Sequence, residues 1–132
     1  MKILLDSGAS QSIIKLELVK NFNLKSVEST SWNTVAGNFS TSKQTNVVFS
    51  SPKLHKKRTI TSVMHVTEKL NNYDMILGRD LLLELGIILN FQEGIIQWEN
   101  TMCPMQTTNQ FLNYQIQASI EDSNSKKILL TE

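Results

Sequence analysis

The residues able to do chemistry are few, and the sharpest arrangement is Leu4-Leu5-Asp6-Ser7-Gly8-Ala9-Ser10. An apolar run delivers one carboxylate into a turn of very small residues. Small neighbours let another backbone, or a substrate, come close to that carboxylate. A carboxylate so placed can serve as a general acid or base when a second group shares the proton traffic. Asp-Ser-Gly alone is common in turns and by itself reads as a strand end. A second arrangement, Tyr73-Asp74-Met75-Ile76-Leu77-Gly78-Arg79-Asp80-Leu81-Leu82, lies about seventy residues downstream. It is an apolar strand, a glycine and a short Leu-rich helix. Asp80 reads as an acid in the first turn, where the helix dipole favours it. Asp74 reads as the start of a strand or turn.

The other candidates are weaker. Lys53, His55, Lys56, Lys57 and Arg58 form a basic cluster, but no aromatic residue interleaves them for base stacking. It reads as a solvated loop tip. His65 sits in an alternating strand and reads as a partly buried core residue. Cys103 follows the main body and has no His partner near it, so it reads as an incidental thiol.

Short strands must position these residues. Lys2–Leu5 and Ser12–Ile14 bracket the Asp6 turn, and a short helix over 16–22 follows, with Ser12 as a possible cap. Ser31–Val35 and Phe39–Thr41 flank Ala36-Gly37-Asn38, a hairpin turn. Thr45–Phe49 and Thr59–Val66 are further strands, separated by an exposed loop over 50–58. Tyr73–Leu77 is a buried strand that stops at Gly78. Arg79–Leu85 is a helix with Gly86 as its C-cap. Ile87–Phe91 and Ile95–Trp98 form a hairpin across Gln92-Glu93-Gly94. This pattern predicts an all-β fold with one or two short helices, a small barrel or sandwich.

Composition bounds the function. The chain has 132 residues and 15.0 kDa, one domain's worth, with 40% hydrophobic and 19% charged residues, enough to bury a core. A net charge of +1 argues against nucleic acid or an anionic membrane as a partner held by global charge. One cysteine excludes an internal disulfide, and no compact Cys/His metal motif exists. No apolar run approaches the ~20 residues of a membrane span, and the N-terminus has no secretory apolar region. These features predict a cytoplasmic location and a site with neither metal nor cofactor. All five glycines lie between residues 8 and 94, and the last third turns rich in Asn, Gln, Ser and Thr. The expected organisation is a folded body over 1–99 and a looser tail over 100–132, with Ile128, Leu129 and Leu130 open between strand and helix.

In that order and spacing, the two arrangements together resemble the retropepsin family of aspartic proteases, and most closely the proteases within polyproteins of gypsy-type LTR retrotransposons. Trp32-Asn33-Thr34-Val35-Ala36-Gly37-Asn38-Phe39 is similar to the flap hairpin of those enzymes. Leu85 to Phe91 and Ile95 to Trp98 are similar to their closing strands. The resemblance covers about residues 2–99. It implies a closed β-barrel that is half of a homodimeric endopeptidase, with a peptide or polyprotein as substrate. Only one Asp-Ser-Gly is present, so the second carboxylate must come from Asp6 of another copy. Two carboxylates that close do not both ionise readily and hold one shared proton.

The resemblance also implies roles. Ser7 braces the two catalytic loops across the dimer, Gly8 lies against the substrate backbone, and Ala9 walls a side-chain pocket. Ser10 stands where retroviral members often carry Asp, so that charged contact is absent. Val35, Ala36, Gly37 and Asn38 form the flap. Gly78 lets the last core strand pass near the active-site loop, and Arg79 and Asp80 support it structurally. Family members usually have a further strand before the catalytic one. Here five residues precede Asp6, so the expectation is a missing first strand, an open sheet edge beside Lys2–Leu5, and a tail that leads toward a downstream polyprotein domain. Two other readings stand beside the enzyme: a truncated, inactive retroelement remnant, and a β-barrel module that binds peptides without cutting them.

Overall fold

A computed structural model describes residues 2–34, 37–51, 54–108, 111–115, 118–121 and 127–130. In chain order the elements are β1 (Lys2–Leu5), β2 (Ile13–Lys15), α1 (Leu16–Val19), β3 (Lys25–Thr34), β4 (Gly37–Ser50), β5 (Thr59–Thr67), β6 (Met75–Leu77), α2 (Arg79–Leu85), β7 (Ile88–Asn90), β8 (Ile95–Trp98), β9 (Thr101–Pro104), β10 (Gln106–Thr108), β11 (Phe111–Gln115), β12 (Ala118–Glu121) and β13 (Lys127–Leu130). The chain is mostly β with two short helices, as the pattern of short apolar runs and turns predicts. None of the helices among the described residues is long and apolar enough to cross a membrane.

The main sheet has the order β10-β11-β1-β6-β2-β5-β4-β12-β13, with β3 paired to β4. Its centre is unusual. β1 and β2 are consecutive strands, yet they do not pair with each other. β6 lies between them, parallel to β1 (Ile3↔Met75 to Leu5↔Leu77) and antiparallel to β2 (Ile13↔Ile76). All three residues of β6 are buried, which is why its sequence is a plain apolar run rather than an alternation. β7, β8 and β9 form a separate antiparallel sheet.

Two apolar clusters result. The larger gathers Ile3, Leu5, Ile14, Phe49, Met64, Met75, Leu77 and Trp98 with their neighbours. The smaller gathers Leu4, Ala9, Ile13, Trp32, Leu70, Tyr73 and Ile76. Successive residues of β1 face opposite sides of the sheet, so Leu4 belongs to one cluster and Ile3 and Leu5 to the other. α2 ends where Gly86 adopts φ +70°, with its N–H donating to Leu83 O at 3.2 Å. A left-handed C′ glycine is the expected terminator.

Several expectations are corrected. Ser12 does not cap α1: Lys15 holds the N-cap position without a side-chain bond, and the helix ends at Val19. β3 and β4 run far beyond the short segments read from sequence, because their Ser- and Thr-rich stretches bury only alternate residues such as Thr41, Thr45, Val47 and Phe49. The loop after β4 is not wholly exposed, since Ser51 and Leu54 are buried and Leu54 joins the core. Cys103 is buried as well, because β9 pairs with β8 at Ile96↔Cys103. Residues 128–130 lie in strand β13. The edge of β1 expected to stand open is paired by β11, antiparallel, from Lys2↔Gln115 to Leu4↔Asn113.

Ile14 is fully buried on β2. Truncating it, Ile14→Ala, should cost roughly 2–5 kcal/mol, read as a lowered urea midpoint with an unchanged slope.

Candidate active site

Asp6 leaves β1 at its C-terminal end and enters a tight turn. Its N–H donates to Leu77 O at 3.0 Å, fastening the turn to the end of β6. The Gly8 N–H donates to Asp6 Oδ1 at 2.8 Å, and the Ala9 N–H donates to Asp6 O at 3.2 Å. The carboxylate is therefore aimed by its own turn. Asp6 is half-buried, Ser7, Gly8 and Ser10 are exposed, and Ala9 is buried. A Cβ on Gly8 would stand 3.1 Å from Asp6 Oδ1, so any larger residue there would press on the acid.

The turn is locked from the far side by the strand–helix junction. A Cβ on Gly78 would stand 2.5 Å from Gln11 O and 2.8 Å from Ala9 O. Only a residue without one lets β6 pass so close to the 9–11 backbone. Arg79 N–H donates to Ala9 O at 2.7 Å, while its side chain is exposed. Gly78 N–H donates to Ser12 Oγ at 3.0 Å. Ser12 Oγ–H donates to Asp80 Oδ1 at 2.8 Å, and Ser12 N–H to Asp80 Oδ2 at 3.1 Å. Leu81 N–H also donates to Asp80 Oδ1, at 2.8 Å. Asp80 thus sits in the first turn of α2 and clamps the end of the Asp6 loop. Asp74 accepts the Lys2 N–H at 2.8 Å and lies 3.7 Å from Lys15 Nζ. Both acids are committed to the scaffold, and neither is bonded to Asp6.

The β3–β4 hairpin closes at Thr34↔Gly37, with Asn38 opposite Asn33. Val35 and Ala36 lie outside the described residues. Gly37 stands against the loop before β6, where the position of its absent Cβ is 3.2 Å from Asn71 Nδ2. The smaller apolar cluster, from Leu4, Ala9, Ile13 and Ile76 beside the loop to Trp32 on the hairpin, joins the hairpin to the Asp6 turn. A cleft of about 620 Å³ runs beside the hairpin, lined in part by Phe39, Lys43, Glu68 and Asn71. Asp6 is not part of it.

The basic cluster is anchored rather than free. Arg58 Nε lies 3.1 Å from Glu99 Oε1, and its guanidinium stands 5.6 Å from the centre of the Trp98 ring. His55 lies 3.6 Å from the same carboxylate oxygen and packs edge-on against Trp98. Lys53 lies outside the described residues. Among the described residues, no three His, Cys, Asp or Glu side chains converge as a metal site would require.

Sequence reasoning read His65 as a core residue, which it is, but missed Gln11 and Thr41 and the partners of Ser12 and His65. His65 Nε2 bonds Gln11 Oε1 beside the Asp6 turn. His65 Nδ1 lies 3.2 Å from Thr41 Oγ1, which accepts the Trp32 Nε1–H at 2.8 Å. Burial pushes His65 below the usual imidazole range, and the Asp80 carboxylate draws it partly back. One signal was available: a serine beside Ile13-Ile14 and a histidine inside a buried run each need polar partners.

Comparisons with known proteins agree with this geometry. A family model described as retroviral aspartyl protease matches residues 1–90. No curated protein matches the chain. Among solved structures, the crystal structure of the retroviral protease-like domain of Ddi1 from Leishmania major has a TM-score of 0.51 at 17% identity, covering 81% of this chain and 85% of that one. At that identity the likeness bears on fold.

Gly78→Ala would drive a methyl into two backbone carbonyls. It should cost about 1–3 kcal/mol or more and shift the backbone amide NMR signals of residues 6–12. A variant with wild-type stability and unshifted loop signals would contradict this close approach.

Proposed function

The chain belongs to the retroviral aspartyl protease family and has its retropepsin-like fold, and from that premise we propose that it is an aspartic endopeptidase that works as a homodimer. One observation carries the proposal. Asp6 stands half-buried beside the exposed Ser7 and Gly8 on a turn bonded to β6, while Asp74 and Asp80 are both engaged elsewhere. One copy thus offers one reacting carboxylate, and a two-fold axis beside Ser7 and Gly8 would supply the second.

In the dimer the two Asp6 carboxylates share one proton. The ionised partner takes a proton from a water molecule as the water oxygen attacks the peptide carbonyl carbon. The protonated partner donates to the carbonyl oxygen as negative charge develops there. The resulting gem-diol collapses: one hydroxyl gives its proton to the Asp6 now ionised, the C–N bond breaks, and the other Asp6 passes its proton to the leaving amine. Ser7 is placed at the exposed tip to brace the two turns, and Gly8 leaves room for the substrate backbone. Gly37 and Asn38 belong to the flap that closes over the peptide and excludes water. Ala9 walls a side-chain pocket, and Gly78, Arg79 and Asp80 hold the turn. An origin in a gypsy-type element, with a polyprotein as substrate, rests on the paired motifs in the sequence.

Purified protein should cleave extended peptides and sediment as a dimer at tens of micromolar. A peptide isostere that mimics the gem-diol should inhibit it. Asp6→Asn should lower kcat/KM by at least about a hundredfold without unfolding the chain. Cleavage that survives this substitution would overturn the assignment.

A further inference from the structure

His65 has no part in the reaction just described, yet it is buried at 5% exposure and touches both halves of the site. Its backbone N–H donates to Ser12 O at 3.1 Å. Its ring joins the loop that follows Asp6 to the two strands of the hairpin. Two side chains face His65 Nε2: the acceptor Gln11 Oε1 in the shorter contact and the Gln44 amide nitrogen at 3.4 Å, and the shorter contact calls for the ring proton on Nε2. Nδ1 is then left with a lone pair, and the Thr41 hydroxyl donates to it. Thr41 Oγ1 in turn accepts the Trp32 indole N–H. The chain therefore runs in one direction, from Trp32 N–H to Thr41 O–H to the imidazole to Gln11. The Thr41 hydroxyl can donate to the ring in this way only while the ring is neutral. Trp32 also packs edge-on against that ring, with centroids 5.0 Å apart.

We propose that His65 is a positioning residue and a proton-sensitive latch, whose neutral ring ties the Asp6 loop at Gln11 to the hairpin at Thr41 and Trp32 and whose protonation undoes the hairpin end of that tie. A proton on Nδ1 turns it from acceptor to donor. The Thr41 hydroxyl would then face two donors, and its own proton would lose its acceptor in a residue only 2% exposed. The groups facing the ring from β3, β4 and the Asp6 loop are Trp32, Thr41, Gln44 and Gln11, all uncharged. The charge acting on it is Asp80, from α2. Burial outweighs that carboxylate and lowers the pKa of the ring, so the latch opens at a lower pH than an ordinary imidazole would set.

The effect on proteolysis rests on the function proposed above, but the latch itself does not, and its test is separate. In wild-type protein, imidazole NMR at neutral pH should show the Nε2–H tautomer for His65. The Trp32 indole N–H signal should move with the His65 titration, and in His65→Gln that movement should be lost. The opposite tautomer, or a Trp32 signal indifferent to His65, would overturn the proposal whether or not the protein cuts peptides. Stability gives a second readout. The unfolded chain binds the proton more readily than the folded one, so His65's contribution is complete above the ordinary imidazole pKa. It is lost as pH falls below that value and levels off under the lowered folded pKa. His65→Gln should flatten that part of a thermal-midpoint profile. If the protein is an active protease, His65→Gln should extend the acid limb of kcat/KM, and His65→Leu should raise KM by about tenfold with kcat within about threefold. An acid limb unchanged in His65→Gln would refute the link to catalysis alone.

Discussion

The site depends on one constraint, the insertion of β6 between two strands that are neighbours in sequence. β1 and β2 are separated by a loop of seven residues, too short to let them drift apart freely, and β6 fills the gap between them. The loop must therefore arch over the end of β6. Gly78 allows the contact, because its missing Cβ would coincide with the carbonyls of Ala9 and Gln11. Once the strand is seated, the backbone donors of Asp6, Gly78 and Arg79 each find a partner across the junction. The turn that holds Asp6 has little freedom left. In the reaction proposed for it, the Asp6 carboxylate would gain from that rigidity, since a small misplacement is costly to any acid–base step.

The buried polar groups around this junction are used in full. The Ser12 hydroxyl accepts from Gly78 and donates to Asp80, and Asp80 receives three donors. A network satisfied to this degree specifies one arrangement of the loop, and a partly satisfied one would be worse than an apolar core. His65 extends the same logic to the hairpin. The apolar cluster of Leu4, Ile13, Trp32 and Ile76 supplies the packing, and the polar chain sets the register in which it packs.

Where the sequence was legible, the signal was local. The Asp-Ser-Gly turn, the buried run before Gly78, the helix ending at Gly86 and the β7–β8 hairpin each declare themselves within ten residues. What it hid was long-range. Ser12 reads as a cap for the helix beside it, yet its partner is Asp80, on another element. Leu54 sits in a polar, basic stretch and only the folded core shows that it is buried. β3 and β4 are rich in Ser, Thr and Asn, and their length follows from pairing with each other and with β5 rather than from propensity. Cys103 is in the core because β9 pairs with β8. Asp74 and Asp80 were readable as structural acids; the residues they hold were not.

The neighbours of β1 have a consequence in time. The strand that presents Asp6 precedes both of its partners: one edge is closed by residues 75–77 and the other by residues 113–115. Both closures span long loops, the kind of contact that folds slowly. The strand must wait for both partners, and the turn that holds Asp6 is fastened only once Leu77 has been made and seated. A site built in this way has a delay written into its topology.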